Sequence, residues 1–388
     1  MQKREDNAAR PPLGTRSTRA VRGRTTTDGP IGVAVVGAGY WGPNLIRNLS
    51  GSEDFDLRWV CDLSAERARR VVGRRSDVSI TTELDRVLDD PAVGAVAIAT
   101  PASTHFDVAS ACIAAGRHVL VEKPLAASVV EGERLVAAAE LEGVALMCDH
   151  TYCFTGAVAK IRELVECGEL GDILYVDSIR INLGIVQRDI DVFWDLAPHD
   201  LSILDFILPP TTRPTGVSAL GADPLATGQA CVGYLALPLA GGGLAHAHVN
   251  WLSPTKIRTT VVGGSKRTVV WDDLNPSQRL SVYDRGLDLA RDSSDTAAEA
   301  RRATLISYRV GDMVAPALPE TEALGGVIRE FGAAIREGRA PVTDGRAGLR
   351  VLQILESAGR SLAAGGMTVA LPTSPTAGPT GKERERVI

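Results

Sequence analysis

Three glycines and one acid carry the first chemistry this sequence offers. They lie in the run Val33-Ala34-Val35-Val36-Gly37-Ala38-Gly39-Tyr40-Trp41-Gly42, an apolar strand leading into G-x-G-x-x-G. Each glycine has a job if a dinucleotide lies there. Gly37 allows the tight turn, Gly39 lets the backbone approach a pyrophosphate, and Gly42 lets helix pack closely on strand. Tyr40 and Trp41 complete the loop. The segment from Pro43 to Leu49 then reads as a helix whose first amides face the phosphates. Asp62 follows Gly42 by twenty residues, at the end of a second apolar run from Leu57 to Cys61. A carboxylate there accepts hydrogen bonds from both adenosine ribose hydroxyls and repels a 2′-phosphate. The pattern predicts a bound nicotinamide dinucleotide, NAD in preference to NADP. Ser64, Arg67, Arg69 and Arg70 keep NADP open, since they read either as a 2′-phosphate lining or as a solvated helix face.

Such a loop needs a sheet to hold it. Strand-like runs at 32–36, 57–61, 95–99, 118–121 and 145–148 alternate with helical stripes. Val108, Cys112 and Ala115 make one stripe, ended by Gly116; residues 129–142 make another, ended by Gly143. This alternation predicts a parallel sheet covered on both faces. Thr100 and Pro101 close its third strand and are expected against the nicotinamide. His105 reads as either a helix-start residue or a cofactor contact. Beyond residue 150 the pattern changes, with a long strand at 173–183 and strand-like runs at 229–236, 243–251, 257–262, 268–272 and 279–283. Helices return at 320–337 and 345–363. Between the strand-like runs at 173–183 and 229–236, Leu201, Leu204 and Leu208 mark a helix over 195–208; Pro198, comfortable as a first helical residue, leaves open whether Asp195 precedes that helix or shares its face.

The expected fold is therefore α/β plus α+β. A Rossmann parallel-sheet domain spans 30–150, and a mostly antiparallel open-sheet domain spans 151–371, its final helices free to pack back on the first. A disordered arm (1–29) and a disordered tail (372–388) flank them. A net charge of −5 argues against a nucleic-acid partner, and no apolar run approaches the ~20 residues that span a bilayer. The arm carries seven Lys/Arg and three Asp/Glu but no apolar signal core, so a cytoplasmic protein is expected. Its six cysteines lack ligand spacing, which predicts buried thiols and no metal. An open sheet of this size leaves an apolar face, so a homodimer or homotetramer is expected.

Ala99-Thr100-Pro101, His105 and the run Val119-Leu120-Val121-Glu122-Lys123-Pro124-Leu125, followed by Asp195-Leu196-Ala197-Pro198-His199, resemble the Gfo/Idh/MocA oxidoreductases. The resemblance covers nearly all of the chain between its two tails. Arg180-Ile181-Asn182-Leu183-Gly184 and the Tyr40-Trp41-Gly42-Pro43-Asn44 loop are similar to a subgroup that oxidises the 3-hydroxyl of a UDP-N-acetylhexosamine or its uronate. One departure is Asp149, where many relatives have glycine; it reads as a substrate contact or a cap.

The resemblance implies hydride transfer between nicotinamide and a sugar hydroxyl. Such a reaction needs a group to take or give the hydroxyl proton, and His199, with an unperturbed pKa of about 6.5, suits it. The resemblance implies that role for His199. It also implies that Lys123 holds the reacting oxygen, that Asp195 binds substrate hydroxyls and supports the pair, that Glu122 and Lys123 adjoin the cofactor, and that the Lys123–Pro124 bond is cis. A nucleotide-linked sugar brings a diphosphate, for which Arg180 and Arg188 are the candidate partners, with Asn182 for a sugar hydroxyl. From the residues alone, Lys123 is also readable as a strand-end lysine, His199 as a buried or capping histidine, Asp195 as a helix-end acid and the arginines as solvated charges. The alternatives are a free-sugar or inositol dehydrogenase, a deoxysugar-nucleotide ketoreductase, and a non-catalytic dinucleotide sensor.

Overall fold

The computed structural model describes residues 29–372 apart from 76, 185, 187–189, 285, 291–304 and 310. Both expected flanking segments, save their innermost residue, and Arg188 lie outside the described residues.

Six parallel strands form the first sheet: β1 (Ile31–Val36), β2 (Phe55–Cys61), β3 (Ser79–Thr81), β4 (Ala95–Ile98), β5 (His118–Glu122) and β6 (Leu146–Asp149). Their order is β3-β2-β1-β4-β5-β6. Val33, Val35, Val96 and Val121 are fully buried, as expected of strands covered on both faces. One face packs α1 (Gly42–Ser50) and α2 (Ala65–Val72); the other carries α3 (Leu84–Leu88), α4 (His105–Ala114) and α5 (Val129–Glu142). Strand order reverses between β1 and β4, the place where dinucleotides bind open α/β sheets.

After α6 (Gly156–Glu166) the chain builds the second sheet. It comprises β7 (Ile173–Leu183), β8 (Gly216–Ala222), β9 (Val232–Pro238), β10 (Leu244–Asn250), β11 (Leu252–Gly264), β12 (Thr268–Asp272) and β13 (Leu280–Tyr283). A separate pair, β14 (Gly286–Ala290) and β15 (Leu305–Arg309), follows, and two short strands, β16 (Met313–Val314) and β17 (Val369–Ala370), finish the edges of the large sheet. Its nine-strand order is β16-β13-β12-β11-β7-β10-β9-β8-β17. All its pairings are antiparallel except β10 with β7.

The helix α7 (Val192–Ile207) lies on the inner face of this sheet, with Phe193, Ala197, Leu201 and Leu204 in the core. Its start decides the choice that Pro198 left open: the helix does not wait for the proline. The Asp191 side chain accepts from the Trp194 N–H at 2.9 Å and caps the helix six residues earlier. Pro198 therefore sits inside the helix, where it removes one backbone bond, and Asp195 falls in the first turn, one turn before His199.

Two late helices join the halves. In α8 (Ala323–Glu337), Leu324, Val327, Ile328 and Phe331 pack into the same core as β1 and β2, with the Phe331 and Phe55 rings stacked at 5.8 Å. In α9 (Gly345–Ala363), Val351 and Leu355 face α7, whereas Leu352 faces the α5 side of the parallel sheet.

Candidate active site

The glycine loop has the shape the fingerprint requires. Gly37 sits at φ 100°, and a Cβ there would lie 2.6 Å from the Ala99 carbonyl group. A Cβ at Gly42 would come within 2.1 Å of the Gly37 oxygen. Gly39 is the open one, with nothing within 4 Å of where a side chain would start, so a diphosphate can reach its backbone. No side chain caps α1, and its first amides stay available to an anion. Tyr40 projects into solvent, 96% exposed, while Trp41 turns inward and donates from Nε1 to Asp149 Oδ2 at 3.2 Å.

Asp62 is buried and accepts from the Ala38 and Ser64 amides, both at 2.7 Å. It thereby ties the glycine loop to the start of α2. A carboxylate oxygen accepts more than one hydrogen bond, so ribose hydroxyls can still be received there. Ser64 caps α2 through Arg67 N, and Arg67 approaches Asp62 at 3.5 Å. Arg70 pairs with Glu66 on the exposed helix face. These residues thus fit a dinucleotide, with an acid at the ribose end.

Lys123 directly follows β5, and its bond to Pro124 is cis. Its Nζ donates to the Asp195 backbone oxygen at 2.9 Å and lies 3.7 Å from Asp195 Oδ1. Asp195 is in turn fixed by Trp251, whose Nε1 donates to Oδ2 at 2.9 Å. Starting α7 at Val192 puts Asp195 and His199 at i and i+4, on one helical face. The structure thus brings Lys123, Asp195 and His199 together from a strand end and a helix.

His199 lies edge-on to the Tyr152 ring, centroids 5.0 Å apart, and its Nδ1 is buried with no hydrogen-bond partner among the described residues. Burial first, then the Lys123, Arg180, His150 and Arg258 charges, push its pKa well below 6.5. A neutral imidazole at pH 7 follows, the form that accepts a proton.

Beside Lys123, Glu122 and Asp149 are register partners on β5 and β6. Burial and the neighbouring Asp149 carboxylate push Glu122 up. Burial also raises Asp149, opposed by hydrogen bonds from Thr151 and Trp41. Two neighbouring buried acids resist ionising together, and the upward shift is the stronger at Glu122. Asp149 links the glycine loop to this pair and is neither free in the cleft nor a helix cap.

Two expected site residues are structural. His105 is 1% exposed, with Nδ1 on the Pro124 oxygen at 2.8 Å and Nε2 on the Thr100 oxygen at 2.9 Å. Both ring nitrogens lie against carbonyl oxygens of the β4 and β5 loops, the neutral ring donating to one of them, so the imidazole ties these loops together. Arg180 is 3% exposed and grips Asp200 through Nε at 2.9 Å and Nη2 at 3.0 Å, its guanidinium 4.4 Å from the Tyr152 ring centroid. It faces the core side of β7 and cannot meet a diphosphate in solvent. Asn182, two residues on, is partly buried beside Gly184 and Trp251. Thr100 and Pro101 stand at the end of β4, where Thr104 Oγ1 donates to Thr100 Oγ1 at 2.9 Å.

Spacing gave no sign of Trp251, Tyr152 or Arg258. They reach the site only because β10, the turn after β6 and β11 converge on α7. Arg258 is partly exposed, 5.8 Å from the Tyr152 centroid and loosely paired with Asp273 at 3.5 Å. Five cysteines are buried and Cys167 is exposed. Among the described residues, no group of three or more His, Cys, Asp or Glu is placed to share a metal ion, and no helix is long and apolar enough to cross a membrane.

Comparison with known proteins agrees with this geometry. Residues 31–150 match the Gfo/Idh/MocA family model, described as an oxidoreductase family with an NAD-binding Rossmann fold. The chain is 28% identical over 178 residues to the scyllo-inositol 2-dehydrogenase (NADP(+)) IolW of Bacillus subtilis, an alignment spanning 45% of this chain and 47% of that enzyme. The chain therefore matches less than half the length of that curated relative. Solved structures are matched along their whole length. The UDP-N-acetylglucosamine 3-dehydrogenase GnnA of Acidithiobacillus ferrooxidans superposes with a TM-score of 0.72 at 25% identity, over 86% of this chain and 98% of that one. GenD2 from gentamicin A biosynthesis, solved with NAD, gives 0.72 at 26% identity over 93% and 100%.

Proposed function

This chain belongs to the Gfo/Idh/MocA oxidoreductases, and we propose that it moves a hydride between the carbinol carbon of a sugar, linked to a nucleotide, and NAD. One observation carries the reading: the ammonium of Lys123, the carboxylate of Asp195 and the depressed imidazole of His199 meet at the end of a dinucleotide-binding sheet. The dinucleotide, when bound, supplies the hydride acceptor. His199 takes the hydroxyl proton as the hydride leaves. Lys123 stabilises the alkoxide character that develops on the oxygen. Asp195, anchored by Trp251, keeps Lys123 aimed and offers Oδ1 to a sugar hydroxyl. In the reverse direction the same residues return the proton.

The likeness to GnnA supports a nucleotide-linked substrate. With Arg180 internal, Arg258 is the described cation left to meet a diphosphate. That loss equally favours a second reading, a free sugar or cyclitol, as in the curated inositol dehydrogenase. The exposed Tyr175, Leu220, Tyr234 and Leu244 on the large sheet support a homo-oligomer, which a monomeric mass by light scattering would overturn.

Asp62 favours NAD in this reading. Asp62→Ser is expected to raise the Kd for NAD about tenfold, the cost of one charged hydrogen bond, and to narrow the preference over NADP. Fluorescence titration with both cofactors checks this; an unchanged NAD Kd sinks it.

The test of function mixes protein and NAD with UDP- and TDP-sugars, free sugars and inositols, and follows reduced nicotinamide in a single turnover. Signal confined to nucleotide-linked sugars supports the first reading, and signal with free polyols supports the second. Lys123→Met is expected to lower the rate about 10²–10³-fold with NAD binding retained. Full activity in that variant overturns the catalytic assignment.

A further inference from the structure

We propose that His150 conducts the substrate proton from His199 to a water-accessible cavity beside α7, so that the proton leaves by a route other than the substrate cleft. This rests on the oxidoreductase reading above. Its starting observation is a pair of orphans. His150 is 1% exposed, yet among the described residues neither ring nitrogen has a hydrogen-bond partner. Nδ1 of His199 is buried without one as well. An unsatisfied buried polar atom costs about 1–3 kcal/mol, so three at one place call for bridging water.

The source of that water is on the page. A cavity of about 490 Å³ is lined by His150, Ser202, Asp205, Arg162, Arg213 and Arg350, among others. Lys123, Asp195 and His199 are not among its walls, so it is separate from the cleft. Ser202 stands one turn beyond His199 on α7 and donates its hydroxyl to the His199 carbonyl at 2.9 Å. The cavity therefore opens one helical turn from the catalytic imidazole, with His150 at its wall. Its arginines do not mark an anion site. Arg350 grips Asp205 at 2.6 and 2.7 Å, Arg213 approaches the same acid at 3.5 Å, and Arg162 pairs with Glu166.

The charged groups around His150 are Lys123 and His199 on the cleft side, Asp205, Arg162 and Arg350 on the cavity side, and Asp149 next in the chain. Burial lowers the His150 pKa to about 4, Asp205 working against it and Lys123 with it. Held neutral, the ring can accept a proton at one nitrogen while releasing one from the other.

The balance is that of alcohol oxidation. The carbinol C–H bond breaks and its electron pair goes with the hydrogen to NAD. The O–H bond breaks and its proton goes to His199. With sugar and dinucleotide filling the cleft, that proton must still reach solvent before the next turnover. It passes by bridging water to His150, and from His150 to water in the cavity.

The test uses His150→Ala and His150→Gln in the full chain with NAD and a sugar that the wild type oxidises. The expected result is a burst of reduced nicotinamide at the wild-type rate, then a steady state slowed about tenfold or more. Added imidazole, small enough to enter the cavity, is expected to restore the His150→Ala steady state saturably. An unchanged steady state, or a lost burst that imidazole does not restore, overturns the relay. A second measurement needs neither variant nor activity: deuterium exchange at the imidazole C2 position, read by mass spectrometry. Relative to the rate that each ring's own pKa allows, His150 is expected to be several-fold less protected than His105, equally buried but with both nitrogens against carbonyl oxygens. Equal protection of the two overturns the relay. Wild-type silence towards every sugar would count against the oxidoreductase reading instead, and the exchange comparison would still judge the water path.

Discussion

His199→Ala is expected to lower kcat by about 10²–10⁴-fold, the range for losing a positioned acid or base, with NAD binding unchanged. The imidazole is buried, stands edge-on to Tyr152 and lies one turn from Asp195. The pH profile carries a sign. The His199 pKa is depressed, so the base form needed for alcohol oxidation is present at neutral pH and is lost only as the pH falls below about 6.5 towards the lowered pKa. The acid limb of kcat/KM in the wild type therefore lies below that of a free imidazole. Burial is the first cause of the depression and the Lys123 charge the second. In Lys123→Met the residual activity is then expected to show its acid limb shifted to higher pH. A limb at or above 6.5 in the wild type would remove His199 from the role.

Arg180→Met is expected to cost about 3–5 kcal/mol of stability, because it leaves the Asp200 carboxylate buried and unpaired. Asp200 is 6% exposed, and among the described residues Ser178 adds the other side-chain hydrogen bond to its carboxylate, at 2.8 Å. Arg180→Met with Asp200→Leu is expected to recover most of the loss, since removing both charges also removes their desolvation cost. Urea unfolding of the single and double variants measures this. An arginine serving substrate instead would change KM and leave the unfolding midpoint in place.

What the sequence made legible was local. The glycine loop, Asp62, and the strand ends at Thr100 and Lys123 are set by short-range rules of turn and strand, and the structure places them as read. The same holds for α9, whose limits match the expected 345–363. Errors entered where distant segments decide. Pro198 left the start of α7 open, and the Asp191 cap places it three residues before the expected 195. Arg180 and His105 looked available because their partners, Asp200 in one case and the Thr100 and Pro124 carbonyls in the other, are fixed only by folding. The β8 strand carries a small-residue run, Gly216 to Ala222, with little hydrophobic alternation to announce it. Trp251 is 56 residues from Asp195, and no spacing rule connects them.

The packing of α8 on β1 and β2 has a consequence for how the protein is made. Ribosomes deliver the nucleotide-binding strands first, but the core containing Phe55 is closed by Leu324, Ile328 and Phe331. Truncating a buried phenylalanine alone typically costs about 3–5 kcal/mol, and here a whole helix face is missing until the chain beyond Ile335 has emerged. A fragment cut at residue 150 would present that apolar groove to chaperones and to other nascent chains. The first half is thus expected to need α8 for a closed core, and fusion or domain-swap designs to carry that helix with it.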